Sequence, residues 1–81
     1  MEITGAQIRA GRALLNISAA ALARMANVSL PTVLRFEAAE KPHTATTKSA
    51  LVAALERAGI EFAAGGVRPR ETGLRRGETN G

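Results

Sequence analysis

Cysteine and histidine, two residue types that often serve as nucleophile, base or metal ligand, are nearly missing from this chain of 81 residues. There is no cysteine, which removes disulfides, thiolate metal sites and cysteine nucleophiles together. His43 is the single histidine, so it has no second ligand with which to hold a metal and no nucleophile to activate. Glu56 and Glu61 stand apart from other functional groups, and Gly65-Gly66 lacks the lysine and serine spacing of a phosphate-binding loop. The expectation is a protein that is not an enzyme, with no cofactor and no metal. The chemistry that remains is that of cations and hydroxyls. Arg9, Arg12, Arg24, Lys41 and Lys48 could each neutralise a phosphate. Arg68, Arg70, Arg75 and Arg76 near the C-terminus could follow a nucleic-acid backbone or enter a minor groove.

The charge balance agrees in sign with such a partner. Eleven lysines and arginines against seven acids give +4. Residues 1–40 and 41–62 carry +1 each, and the last nineteen carry the remaining +2. A basic surplus favours polyanions, although the foldable part is only mildly positive. Eighty-one residues allow one domain, with few apolar side chains after Gly65 to extend its core. No apolar run approaches the roughly 18 residues of a membrane span, and the first residues lack the charged-then-apolar order of a signal peptide. A cytoplasmic protein without a membrane partner is expected.

The elements that must position these groups can be read from caps and breakers. Thr4, with Gln7 three residues on, forms a capping box flanked by Ile3 and Ile8, and opens a helix ending near Leu15 or Asn16. Ser18 caps a short alanine-rich helix that ends at Asn27, a residue tolerant of left-handed backbone. Val28 and Ser29 repeat the pattern of an apolar residue and a cap. Pro31 falls in the first turn of a helix over roughly Leu30 to Ala38, where its missing N–H costs nothing. Leu30 and Leu34 form one apolar strip on that helix, and Val33 and Phe36 another. Glu40 to Thr44 is a loop by composition, and Thr44 to Thr47 offer caps for a last helix. That helix runs to Ala58 with Leu51, Ala54, Leu55 and Ala58 inward and stops at Gly59. Ile60-Glu61-Phe62 is a short strand or extended segment, which Gly65-Gly66 could turn back into Val67-Arg68 as a minimal ribbon. From Pro69 onward disorder is expected.

A capped helix, a turn of three or four residues and a second capped helix form a supersecondary unit whose second helix can enter a major groove of DNA. It needs small residues where the helices cross, a permissive turn residue and an apolar plug after the turn. Ala23, Asn27 and Val28 meet these demands in order. The whole stretch from Leu22 to Glu37 resembles the helix-turn-helix of the Cro/C1-type (Xre) family of bacterial and phage regulators. The resemblance is carried by Leu22, Ala23, Ala26, Asn27, Val28, Ser29, Thr32, Val33, Phe36 and Glu37. Gln7 to Leu15 is similar to the family's first helix, and Ala54 to Phe62 to the ending of a compact subgroup, so the likeness covers residues 5 to 62.

The resemblance implies an all-α, lambda-repressor-like bundle of four to five short helices, extended here by a short C-terminal β-ribbon. It divides the chain into a DNA-binding domain over 1–62 and a short extended segment with a flexible basic tail over 63–81. It further implies operator binding as a homodimer on a palindromic site, with repression the common outcome. The base-facing positions carried over are Ser29, Leu30, Pro31, Thr32 and Arg35. Ser18, at the start of the second helix, falls at a phosphate-contacting place, and Glu37 would cap or brace the loop beyond the recognition helix. Arg35 has the strongest chemistry of the set, because its paired donors match a guanine edge.

Four places depart from the family pattern. Ala19 and Ala21 stand where polar side chains often reach the backbone, and Leu30 and Pro31 where glutamine, arginine or serine often read bases. Leu30 could instead contact a thymine methyl group. Exposed leucines at 30 and 34 also fit a protein-interaction module of the same shape, such as an antitoxin or an accessory subunit of a regulatory complex.

Overall fold

Caps set where each helix begins. In the computed structural model, whose described residues are 2–39 and 44–70, α1 spans Gly5–Leu15, α2 Ala19–Ala26, α3 Leu30–Glu37 and α4 Ala45–Arg57. The Thr4 hydroxyl accepts from the Gln7 amide at 3.2 Å, while the Thr4 amide donates to Gln7 Oε1 at 3.0 Å, which completes the capping box. Ser18, Ser29 and Thr44 accept in the same way from Ala21, Thr32 and Thr47 at 3.0, 3.2 and 3.0 Å. Each such cap satisfies an amide that the helix leaves over and contributes about 1 kcal/mol.

The helix ends follow the expected breakers with one exception. Asn16 and Asn27 close α1 and α2 in the left-handed region, with φ of 57° and 58°, and Gly59 follows α4 at 105°. After α3 the left-handed residue is Ala39, at φ 61°, where neither glycine nor asparagine was available to mark it. An alanine there carries about 1–2 kcal/mol of backbone strain. Glu40 to His43, the loop beyond it, lies outside the described residues.

Small side chains let the helices approach, and large ones fill what is left. Ile8, Leu22, Val33, Phe36, Leu51, Leu55, Ile60 and Phe62 are buried, with Ala23, Ala26 and Ala54 at the close contacts. Gly11 is among these contacts, since a Cβ there would lie 3.1 Å from Leu55 Cδ1. Gly5 is tighter still: a Cβ would press into the carbonyl of Phe36 and reach within 2.7 Å of that of Glu37, so the start of α1 abuts the end of α3. Ala58, expected to face inward, is exposed, because α4 stops at Arg57 and Ala58 turns outward as its cap.

The extended segment is a strand. Ile60–Ala63 (β1) pairs antiparallel with Gly66–Pro69 (β2), with Phe62 opposite Val67 and Glu61 opposite Arg68. The turn uses Ala64-Gly65 rather than Gly65-Gly66; Gly65 supplies the positive φ of 74°, and Gly66 enters the strand. A ribbon of this size needs support, and it receives it from both sides. Ile60 and Phe62 enter the core, and Gln7 Nε2 donates to the carbonyls of Ala63 and Gly66 at 2.8 and 3.0 Å. The hairpin thus straddles residue 62, where the sequence places the end of the helical domain, and Pro69 closes it. The described chain is a four-helix bundle with a small C-terminal antiparallel hairpin. Disorder was expected from Pro69 onward, but Pro69 pairs with Ile60 in the hairpin and the Arg70 amide bonds to the Gly59 carbonyl; the rest of that stretch, from Glu71 on with Arg75 and Arg76, lies outside the described residues.

Candidate nucleic-acid interface

The segment from Ser18 to Glu37 places two helices of eight residues each around a tight turn. Val28 enters that turn partly buried against the core, with its amide bonded to the Ala23 carbonyl at 3.0 Å, as the plug position requires. At about 100° per residue, α3 divides cleanly. Val33, Phe36 and Glu37 are buried, Thr32 sits at the border, and Leu30, Pro31, Leu34 and Arg35 are exposed on one continuous face. Four of the five expected base-facing residues (Ser29, Leu30, Pro31 and Arg35) are therefore exposed, and Thr32 is half-buried. The Ser29 and Thr32 hydroxyls are 2.7 Å apart and hydrogen-bonded to each other, so the cap and its neighbour act as one unit.

The cations sort into paired and unpaired groups. Arg9, Arg24 and Arg35 are exposed and make no ion pair or side-chain hydrogen bond among the described residues. Lys48 pairs with Glu2 at 3.3 Å and Arg68 with Glu61 at 3.2 Å, both at the surface. Arg68 also holds the Glu61 carboxyl below its usual range, first by hydrogen bonding and then by its charge, with Arg70 adding to the effect. Arg70 is half-buried, and its amide donates to the Gly59 carbonyl at 2.6 Å, closing the base of the hairpin. Ser18 is exposed at the start of α2, and Lys41 lies outside the described residues.

Arg12 has a different place from the one expected of a phosphate contact. Its Nε and Nη2 donate to the two carboxylate oxygens of Glu37 at 2.6 and 2.9 Å, and its Nη1 donates to the Ile17 carbonyl at 3.1 Å. The Glu37 side chain is 5% exposed and that of Arg12 19%. The hydrogen bond to Glu37, aided by its charge and opposed by burial, raises the Arg12 pKa above its ordinary value. Glu37 braces α3 against α1 instead of reaching the loop beyond α3. Neither partner was linked to the other by sequence, because 25 residues separate them. The Arg57 guanidinium makes a second long-range link of this kind, with Nη2 3.4 Å from the Met25 carbonyl.

This pairing has an electrostatic consequence. Glu37 is the single carboxylate of α2 and α3, and it is turned inward and neutralised. The outer surface of the two helices therefore carries Arg24 and Arg35 with no exposed acid between Ser18 and Ala39.

A groove of about 430 Å³ opens between the ends of α1 and α4 and the base of the hairpin. Leu14, Leu15, Ile60 and Pro69 give it apolar walls, with Arg57 and Arg70 at its margin, and no residue of α2 or α3 lines it. Ile60 and Phe62 are occupied in the chain's own core. Among the described residues no group of three or more metal-ligating side chains gathers, and no helix is long and apolar enough to cross a membrane. No family model matches the chain, and no curated protein is significantly similar to it in sequence.

Proposed function

We propose that the chain is a sequence-specific DNA-binding transcriptional regulator, a helix-turn-helix protein of the lambda-repressor-like type in which α3 is the recognition helix. The observation that carries this reading is the acid-free exposed surface of α2 and α3, with Arg35 on α3 unpaired among the described residues and the one carboxylate of the two helices buried against Arg12. A polyanion meets no exposed carboxylate of these helices there, and Ser18 and Ser29 cap their first turns. Arg35 reads a base edge, Ser29 and Ser18 meet phosphate through hydroxyls and first-turn amides, and Arg9 and Arg24 add screening-sensitive contacts. One module of this size touches too few base pairs to be selective in a genome, so the active form is a homodimer on an inverted repeat, acting as a repressor by occupancy.

A second reading has its own support: Leu30 and Leu34 are 39% and 49% exposed, as a partner-binding module such as an antitoxin would present them. Binding titrations on a selected DNA fragment, with competitor and across salt, separate the two. The DNA reading expects Arg35→Ala to weaken binding by about 1–3 kcal/mol and to relax preference at one base position, while Arg24→Ala weakens all sequences alike and lowers the salt slope by about one. Equal binding by the wild type and Arg35→Ala, with no preferred sequence, would favour the protein-binding module.

A further inference from the structure

Three of the four exposed side chains on α3 are apolar. Leu30, Pro31, Leu34 and Arg35 share one face, and Leu34 stands about 40° around the helix from Leu30. The hydroxyls beside this face are partly engaged with each other: Ser29 Oγ accepts from the Thr32 amide and is bonded to Thr32 Oγ1, which leaves one hydroxyl hydrogen at the helix start for phosphate. Arg35 is thus the one exposed side chain of α3 able to donate freely to a base edge. In a major groove the apolar base feature is the C5-methyl of thymine. The absence of exposed carboxylate from Ser18 to Ala39, with Arg24 and Arg35 making no ion pair among the described residues, suits a polyanion rather than an acidic protein surface.

We infer that α3 reads DNA chiefly by apolar contact, with Leu30 and Leu34 packing on the C5-methyl groups of thymines that lie beside a guanine bound by Arg35. This rests on the DNA-binding reading and specifies its substrate: a site whose recognised steps carry thymine methyls next to a guanine, in place of the adenine that glutamine or asparagine would select. Pro31 narrows the choice further, because its ring is rigid and offers no donor at the second position of the helix. A methyl contact strips no hydrogen-bonded water from the side chain, so its cost is the exposure of Leu30 and Leu34 in the free state.

The test replaces single thymines by deoxyuridine in a fragment selected by binding to the wild-type protein. Uracil keeps every hydrogen-bonding group of thymine and removes only the methyl. At the contacted positions the inference expects about fourfold weaker binding per methyl removed, the worth of one buried methyl group, and no change at thymines outside the half-sites. Leu30→Ala and Leu34→Ala, both at exposed positions and checked by thermal melting, should each bind thymine and uracil versions equally at one position. Cytosine at a contacted thymine position should recover part of its lost affinity when methylated at C5. If the wild type selects a DNA site but binds thymine and uracil versions alike, the inference fails while the DNA-binding reading stands. If the same uracil penalty persists in both leucine variants, the leucines are not the readers and the inference also fails. If no fragment is selected, the DNA-binding reading falls and takes this inference with it.

Discussion

Arg12 and Glu37 face each other across the join between α1 and α3 with two hydrogen bonds, at 2.6 and 2.9 Å, to the two oxygens of one carboxylate. The pair does two jobs at once. It locks the last turn of α3 onto the first helix, and it takes the only carboxylate of α2 and α3 away from the surface. Arg12 adds a third bond to the Ile17 carbonyl, so its guanidinium also fixes the link into α2. A planar fork is needed for this arrangement, which lysine does not offer.

Removing one member of the pair strands the other. Arg12→Ala leaves a carboxylate that is 5% exposed without its partner, and we expect a loss of about 3 kcal/mol, at the low end for a buried pair because Arg12 is itself partly solvated. Arg12→Lys should cost less than Arg12→Ala, but more than nothing. Replacing both residues by apolar ones of similar size, Arg12→Met with Glu37→Leu, should recover most of the loss. Urea denaturation of the set gives the comparison, and the double variant keeps it measurable if the single one does not fold. Equal stability of the wild type and Arg12→Ala would show that the pair contributes no brace.

Gln7 joins the start of α1 to the hairpin turn. Its Oε1 accepts from the Thr4 amide, and both hydrogens of its Nε2 go to the carbonyls of Ala63 and Gly66. Gln7→Ala therefore removes a cap and leaves two hairpin carbonyls without their donor, which should cost about 2 kcal/mol. Gln7→Glu should cost more, since it turns a carboxylate oxygen towards those two carbonyls. Hydrogen exchange at the β1 and β2 amides reads the effect locally: protection should fall in the hairpin before it falls in α2. Unchanged protection there would contradict the link.

Two glycines of α1 should respond to alanine by different amounts. At Gly5 the added methyl meets backbone carbonyls of Phe36 and Glu37, which cannot give way without moving α3, so a loss of about 1–3 kcal/mol is expected. At Gly11 the nearest atom is the end of the Leu55 side chain, and the gain in helix propensity of about 1 kcal/mol offsets most of the contact. Thermal melting of Gly5→Ala and Gly11→Ala should separate by several degrees, with Gly5→Ala the lower. The reverse order would mean that the approach of α1 to α3 is looser than described.

Local physics made most of the fold legible in sequence. Thr4, Ser18 and Ser29 cap where hydroxyls precede apolar-periodic runs, and Asn16 and Gly59 stop helices where the backbone must turn left-handed. Asn27 takes the turn position for the same reason. What sequence did not reveal lies in contacts between distant segments. Arg12 read as a phosphate contact because nothing near it in sequence could pair with it, and Glu37 read as a brace for the following loop. Gln7 was legible as half of a capping box, but its other half, the hairpin carbonyls, sits 56 and 59 residues away. Ala39 is the local failure: a left-handed alanine has no compositional mark, and only the geometry of the α3 end demands it. For the candidate site, Leu30, Pro31 and Arg35 came from the family resemblance, and the burial of Val33 and Phe36 on the opposite side leaves all three exposed. The removal of acid from that surface was not legible, since it depends on the Arg12 pairing.

The most direct measurement of the central claim is selection of bound fragments from random double-stranded DNA by the full chain at physiological salt. The account predicts an enriched inverted repeat whose half-sites are centred about 10–10.5 base pairs apart, the separation of two recognition helices in successive major grooves, and loss of one conserved guanine position with Arg35→Ala. Recovery of sequences with no shared motif, and binding that fades as salt rises to physiological strength, would contradict it.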